Sequence, residues 1–233
     1  RPEELHFGTG SESIADTSKI LSTYGNAFML RTDSDKKLDE FKKYLTIPII
    51  NGLSPSSHPA QVLSDIFTIQ EIKKKSISKL KLCWIGDANN NMMNSLIEAC
   101  IKFSVSLNIA CPKSYQPNKM LISLIKKQKG KIKIFNKKEI AVKNSDVVMT
   151  DKIISLNDNV NKKKKLKSFK NFKVDSKTMK LAKKDAIFLH CLPRGSEVTD
   201  EVFLGKQSKV WQQALNRVYV QKSILLYCFG KLR

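Results

Sequence analysis

Several polar clusters in this chain could do chemistry, and each sits next to a short apolar run. His58-Pro59-Ala60-Gln61 puts an imidazole and an amide three residues apart at the expected start of a helix. Residues at that spacing share a face, and the free backbone N–H groups there attract anions and polar carbonyl groups. Helix capping by Ser57 and His58 explains the same residues equally well. Gly86-Asp87-Ala88-Asn89-Asn90 follows a strand and opens a helix, without the G-x-G-x-x-G spacing of a dinucleotide turn. Its Asn amides suit a ligand's amino or carboxylate group, although Asn and Gly favour turns anyway. Thr150-Asp151, with Ser155 about one helical turn later, offers a carboxylate that could hold an ammonium or merely cap a helix. His190-Cys191-Leu192-Pro193-Arg194 sets a thiol beside a His and an Arg. It reads as a polarising thiol, a nucleophile or a buried structural Cys. No Cys/His/Asn protease signature surrounds it. Asn216-Arg217 interrupts an apolar helix face, where an Arg is costly without an anionic or carbonyl partner.

Positioning these groups requires alternating helices and strands. Amphipathic residues 12–24 precede the apolar run Ala27–Leu30, which ends at Arg31. A helical pattern over 37–45 leads to a strand at 47–50, closed by Asn51-Gly52. A longer helix then runs from near His58 to about Lys75. In the second half, strands are expected at 81–85, 107–111, 131–135, 146–149 and 186–189. Helices are expected at 94–103, 119–127 and about 212–229. Short apolar strands alternating with amphipathic helices indicate parallel sheets covered on both faces, in two α/β units divided near the Lys-rich stretch 72–79. Ligands in such folds bind beyond the carboxyl ends of the strands. That rule selects Arg31, the segment after Gly52, residues 86–90, Asp151 and residues 190–194.

The net charge of +21 suggests a nucleic-acid partner, yet only five of the 42 basic residues are Arg. Phosphate and base readers favour the guanidinium fork. We read the lysines as a solvated surface, the run Lys162–Lys165 as an exposed loop or helix end, and nucleic acid as no partner. The five cysteines are widely spaced, with no C-x-x-C. This reads as a reducing, cytoplasmic protein without disulfides or zinc, and no ligand cluster suggests another metal or an organic cofactor. No run of about 18 apolar residues suggests a membrane span.

Taken in order, these segments resemble ornithine carbamoyltransferases. The landmarks are Glu12-Ser-Ile-Ala-Asp-Thr17, Arg31, Pro48-Ile-Ile-Asn-Gly-Leu53, His58-Pro-Ala-Gln61, Trp84-Ile-Gly-Asp-Ala-Asn-Asn90, Thr150-Asp151 with Ser155, His190-Cys-Leu-Pro193, and Asn216-Arg217 with Gln221-Lys222. They span nearly the whole chain. The resemblance implies two doubly wound parallel-sheet domains. Residues 1–72 and 209–233 would bind carbamoyl phosphate, and residues 73–208 would bind ornithine. It implies that Arg31, His58 and Arg217 polarise the carbamoyl carbonyl and hold the phosphate. Gln61 would contact the carbamoyl amine. Asn90, Asp151, Ser155 and the backbone of Leu156 would hold ornithine. Cys191 would line the site, with the Leu192 backbone helping to bind carbamoyl phosphate. It also implies a homotrimer, or a multiple of one, making citrulline in arginine biosynthesis.

The sequence departs from the family pattern in four places. No S-x-R-T-R phosphate-binding motif stands in these residues, so the first domain is read as incomplete. Ser155-Leu156-Asn157 replaces Ser-Met-Gly, Ile153 replaces a Trp, and Leu215 replaces the Glu before Asn-Arg. Two rivals follow: a sister transcarbamylase acting on putrescine or an acylated ornithine, and a non-catalytic basic nucleic-acid-binding protein on the same scaffold. Cys rather than Pro after His190 argues against the aspartate enzyme.

Overall fold

The computed structural model describes residues 12–127, 131–154 and 161–232. Its parallel sheets and flanking helices form two compact units, residues 1–60 with 219–233, and residues 61–218. The second unit takes in residues 61–72 and 209–218, which the sequence reading grouped with the first domain.

In the first unit, α1 (Ile14–Tyr24) begins where the Ser13 side chain accepts the Asp16 N–H. Strand β1 (Phe28–Arg31) pairs in parallel with β2 (Ile49–Leu53), joined through α2 (Asp35–Tyr44). Phe41 of α2 is fully buried, with its ring 5.4 Å from that of Phe28. Gly52 is needed for close approach, because a Cβ there would lie 3.1 Å from Met29 Cγ and 3.2 Å from Leu30 O. The Asn51 amide in β2 donates to Ser57 Oγ at 2.9 Å, folding the Ser-rich turn after the strand back before α3 (Pro59–Lys73).

The second unit is a five-stranded parallel sheet in the order β5-β4-β3-β6-β7. Its strands are β3 (Lys81–Ile85), β4 (Ser106–Ala110), β5 (Ile132–Phe135), β6 (Val147–Thr150) and β7 (Ile187–His190). The central strands are buried along most of their length and largely apolar, as burial on both faces demands, and the amide of buried Asn108 in β4 donates to Ala141 O at 2.7 Å. One face packs residues of α3, α4 (Asn91–Lys102) and α5 (Lys119–Lys126) around Trp84, Leu107 and Val147. The other packs α6 (Lys138–Val142), α8 (Ser176–Leu181), α9 (Asp200–Phe203), Phe169, and Val210 at the start of α10 (Val210–Cys228) around Cys83, Val148 and Phe188. Helix α7 (Lys162–Ser168) precedes Phe169. Among the described residues, no helix is long and apolar enough to cross a membrane.

All the expected strands of this sheet form. The short helices α6, α8 and α9 escaped the periodicity reading because each has only four to six residues, too few to display a face. Asp146 lies outside β6. Its carboxylate accepts the Lys81 N–H at 2.9 Å and pairs with Lys183 at 2.7 Å. The lysine run also needs correction. It opens helix α7, capped by Asn161, and although Lys162, Lys163 and Lys164 are exposed, Lys165 is buried. Helical geometry turns one residue of such a run toward the core, and a carboxylate waits there.

Candidate active site

The order β4-β3-β6 makes a topological switch: the chain leaves β3 in one direction along the sheet and returns to its other side. The crevice beyond the strand tips at such a point is where open α/β sheets bind ligands. Gly86 follows β3 with φ +150, a conformation that side chains rarely adopt, and a Cβ there would meet Thr150 Oγ1 at 3.3 Å. That hydroxyl donates to Ile85 O at 2.6 Å, locking the β3 and β6 tips together. Asp87 and Asp151 therefore emerge on either side of the switch.

The neighbouring acidic groups have partners. Asp87 Oδ2 lies 2.7 Å from Lys165 Nζ, with both side chains buried. Glu197 Oε1 lies 2.8 Å from His190 Nε2, also buried. Burial pushes the Glu197 carboxyl up, but hydrogen bonds from His190 and the Gly195 N–H outweigh it and hold it below its ordinary value. Asp151 differs. Among the described residues its carboxylate forms no ion pair and accepts only the Lys152 N–H, at 2.7 Å. Burial is the leading cause that raises its pKa to about 6. The Lys152 N–H and His190 oppose the rise, while Glu197 and Asp87 add to it.

Cys191 lies within electrostatic reach of this group, and Arg217 within reach of Cys191. Burial, then the charges of Asp151 and Asp65, push the Cys191 thiol well above its usual value, against the pull of Arg217. Cys191 is half-buried and rests against the apolar core, so its neighbours keep it protonated rather than activate it. Arg217, in α10, donates through Nη1 to Gln61 Oε1 at 2.5 Å. Gln61 Nε2 donates in turn to Asp65 Oδ1 at 2.8 Å. The Arg in the apolar helix face thus meets a carbonyl oxygen, as its burial cost requires.

The second unit therefore brings Gln61, Asp151, Cys191 and Arg217 together. Asn90 stands at the N-terminus of α4, where its side-chain oxygen accepts the Met93 N–H at 2.8 Å. Leu192 is exposed beside Cys191. Arg31 is exposed at the end of β1 and His58 is half-buried just before α3, both in the first unit. Ser155 and Leu156 lie outside the described residues. Arg194 is engaged elsewhere: it pairs with Asp200 at 2.6 Å and stacks 4.3 Å from the Phe203 ring centre.

Sequence reasoning missed Asp65, Gln213 and Lys165. Asp65 was findable, since it stands one helical turn after Gln61 on the same face. Gln213 Nε2 donates to Asp65 Oδ1 at 2.7 Å, while its Oε1 accepts the His190 N–H at 3.0 Å. Leu215 is half-exposed. The Asn216 amide instead donates to Thr68 Oγ1 at 3.0 Å and Glu71 Oε2 at 2.9 Å. Ile153 is buried within the core.

The chain resembles known proteins along nearly its whole length. A family model described as aspartate/ornithine carbamoyltransferase, carbamoyl-P binding domain, matches residues 2–71. A second, for the Asp/Orn binding domain of the same family, matches residues 78–228. The ornithine carbamoyltransferase of Staphylothermus marinus is 42% identical over 229 residues, covering 96% of this chain and 73% of that protein. That of Caldicellulosiruptor saccharolyticus is 43% identical over 237 residues, covering 98% and 76%. Among solved structures, ornithine carbamoyltransferase from Pyrococcus furiosus superposes with TM-score 0.87 at 38% identity, covering 96% of this chain and 72% of that one. The anabolic enzyme from Campylobacter jejuni gives 0.88 at 36% identity, covering 96% and 75%. With both family models matched in order, this chain belongs to the aspartate/ornithine carbamoyltransferases.

Proposed function

We propose that the protein transfers the carbamoyl group of carbamoyl phosphate to the side-chain amine of L-ornithine, giving L-citrulline and phosphate. The amine nitrogen attacks the carbonyl carbon, a C–N bond forms, and the negative charge collects on the carbonyl oxygen. Collapse breaks the C–O bond to phosphate, and the proton shed by the amine goes to the departing phosphate or solvent. Donors aimed at such an oxyanion are often the largest catalytic term, with about 3–4 kcal/mol lost per donor removed.

In this reading Arg31, His58 and Arg217 polarise the carbonyl and hold the phosphate. Gln61 and the Leu192 backbone contact the carbamoyl group. Asp151 holds an ammonium of ornithine, and Cys191 lines the side-chain path as a neutral thiol. Ser155 and the Leu156 backbone complete the ornithine contacts. The Asn90 amide nitrogen contributes there too, since its oxygen is occupied by helix capping. Residues 1–72 and 209–233 would serve carbamoyl phosphate, and 73–208 ornithine. We further propose a cytoplasmic homotrimer, or a multiple of one, acting in arginine biosynthesis, on the strength of the family likeness.

One observation carries the assignment. At the switch point, Asp151 is a carboxylate without a cationic partner among the described residues, while neighbouring Asp87 and Glu197 are paired with Lys165 and His190. A substrate ammonium supplies the missing charge. Citrulline formation from carbamoyl phosphate and ornithine by the full-length protein tests the reading. Turnover of putrescine or an acylated ornithine, with none of ornithine, would overturn it.

A further inference from the structure

We propose that Asp65 is a positioning residue for carbamoyl transfer: its carboxylate fixes the amide orientations of Gln61 and Gln213, and so holds Arg217 and the His190–Cys191 strand end in one arrangement. The inference rests on the functional reading above, and it assigns a role to a residue that contacts the reaction only through others.

A glutamine amide is nearly symmetric in shape. Its oxygen and nitrogen are nearly equal in size, so packing alone does not choose between two orientations 180° apart. A charged acceptor does choose. An ionised carboxylate accepts and cannot donate. Asp65 Oδ1 takes one hydrogen bond from Gln61 Nε2 at 2.8 Å and another from Gln213 Nε2 at 2.7 Å. Both amide oxygens must then point away from it. That of Gln61 points to Arg217 Nη1, and that of Gln213 to the His190 backbone N–H. Reversing either amide would set oxygen against carboxylate at one end and donor against donor at the other.

Three elements meet through this one group. Gln61 and Asp65 stand on α3, Gln213 and Arg217 on α10, and His190 ends β7 immediately before Cys191. Asp65 is completely buried, so its hydrogen bonds are charge-assisted and shielded from water. Gln61, Gln213 and the His190 backbone are buried as well. Such burial is costly for a carboxylate, which argues for a role that a neutral apolar residue could not fill.

Steady-state kinetics on the full-length protein and its Asp65→Asn, Asp65→Leu and Gln213→Leu variants test this, read by phosphate release with ornithine and with putrescine. Asp65→Asn keeps the shape and removes the charge. It should still fold cooperatively and retain the KM for ornithine while kcat/KM for carbamoyl phosphate falls about 10- to 100-fold, the scale of a small misplacement of reacting groups. Asp65→Leu should lose more. Asp65→Leu combined with Gln213→Leu should be no worse than Asp65→Leu alone, because the two substitutions cut one chain of contacts. Wild-type kinetic constants in Asp65→Asn would overturn the proposal, as would losses equal for both substrates that merely follow melting temperature. If the acceptor proves to be another amine, phosphate release with that amine still makes the comparison, so an error about ornithine is told apart from an error about Asp65.

Discussion

Lys165 Nζ lies 2.7 Å from Asp87 Oδ2, with both side chains buried, although the three lysines before it in the chain point into solvent. The Lys165 ammonium also sits 5.6 Å from the Tyr115 ring centre. This pair binds α7, the first described element after residue 160, to the tip of β3. Breaking a buried pair from one side leaves an uncompensated charge. Lys165→Met should therefore lower the unfolding free energy by about 3–5 kcal/mol. Adding Asp87→Leu should recover much of that loss, since apolar replacement of a whole buried pair is often neutral. Denaturant midpoints of the two variants decide the matter, and a loss under about 1 kcal/mol in Lys165→Met would show that the pair contributes little.

Activity should depend on pH through Asp151. Its folded pKa of about 6 lies well above the ordinary 3.8, with burial as the main cause. Below about pH 6 the carboxyl is protonated and can no longer hold an ammonium, so kcat/KM for ornithine should fall on the acid side. Asp151→Asn should lose activity at every pH and change the acid limb, keeping only the part that Asp65 sets. An acid limb of the same shape in Asp151→Asn would remove Asp151 from that role. Asp65 titrates near the same pH and feels the Asp151 charge, so the measured values belong to the pair.

How far the residues alone reveal this arrangement follows from the range of the interactions involved. The strands at 81–85 and 107–111 were legible because an apolar run between polar turns has few other readings. Their order in the sheet was not, because β3 finds β6 across more than sixty residues. The chemistry of Asp151, Cys191 and Arg217 was legible as residue type at a strand end or in an apolar helix face. Gln213 was not, because an amide on a helix looks like solvated surface until its partner, 148 residues away, is seen beside it, and Asp65 was marked only by its place one turn after Gln61. Lys165 misled for the same reason: in a run of four identical charges, the sequence does not mark which one faces inward.

The state of the thiol gives a further test. Cys191 is held well above its ordinary pKa by burial and by two carboxylates, and burial raises Cys83, Cys100 and Cys111 to about 12. The thiolate is the reactive form, so iodoacetamide should modify Cys191 at pH 7.5 more slowly than free cysteine in solution. Cys191→Ser should keep measurable turnover, since a neutral hydroxyl can line the same path. Rapid alkylation of Cys191 at neutral pH, or a trapped carbamoyl-thioester on it, would mean that it acts as a nucleophile.

Asp65 ties stability to pH, with a sign opposite to that of an ordinary salt-bridged carboxylate. Its folded pKa is raised to about 6, chiefly by burial, while hydrogen bonds from Gln213 and Gln61 and the Arg217 charge work in the other direction. Because the folded value exceeds the ordinary 3.8, folding favours the protonated form. That contribution is complete below about pH 4 and is lost as pH rises through 6. A shift of this size corresponds to about 3 kcal/mol, and Asp65 is buried too deeply for solvent to screen much of it. Asp65→Asn does not titrate. Its stability relative to the wild type should therefore improve between pH 4 and pH 7 by about 2–3 kcal/mol, whatever the constant offset from the substituted amide. Urea unfolding of both proteins at pH 4, 5, 6 and 7 measures this difference directly. If the gap stays flat across that range, the carboxyl titrates alike in the folded and unfolded chains, and its burial in the amide network carries no cost.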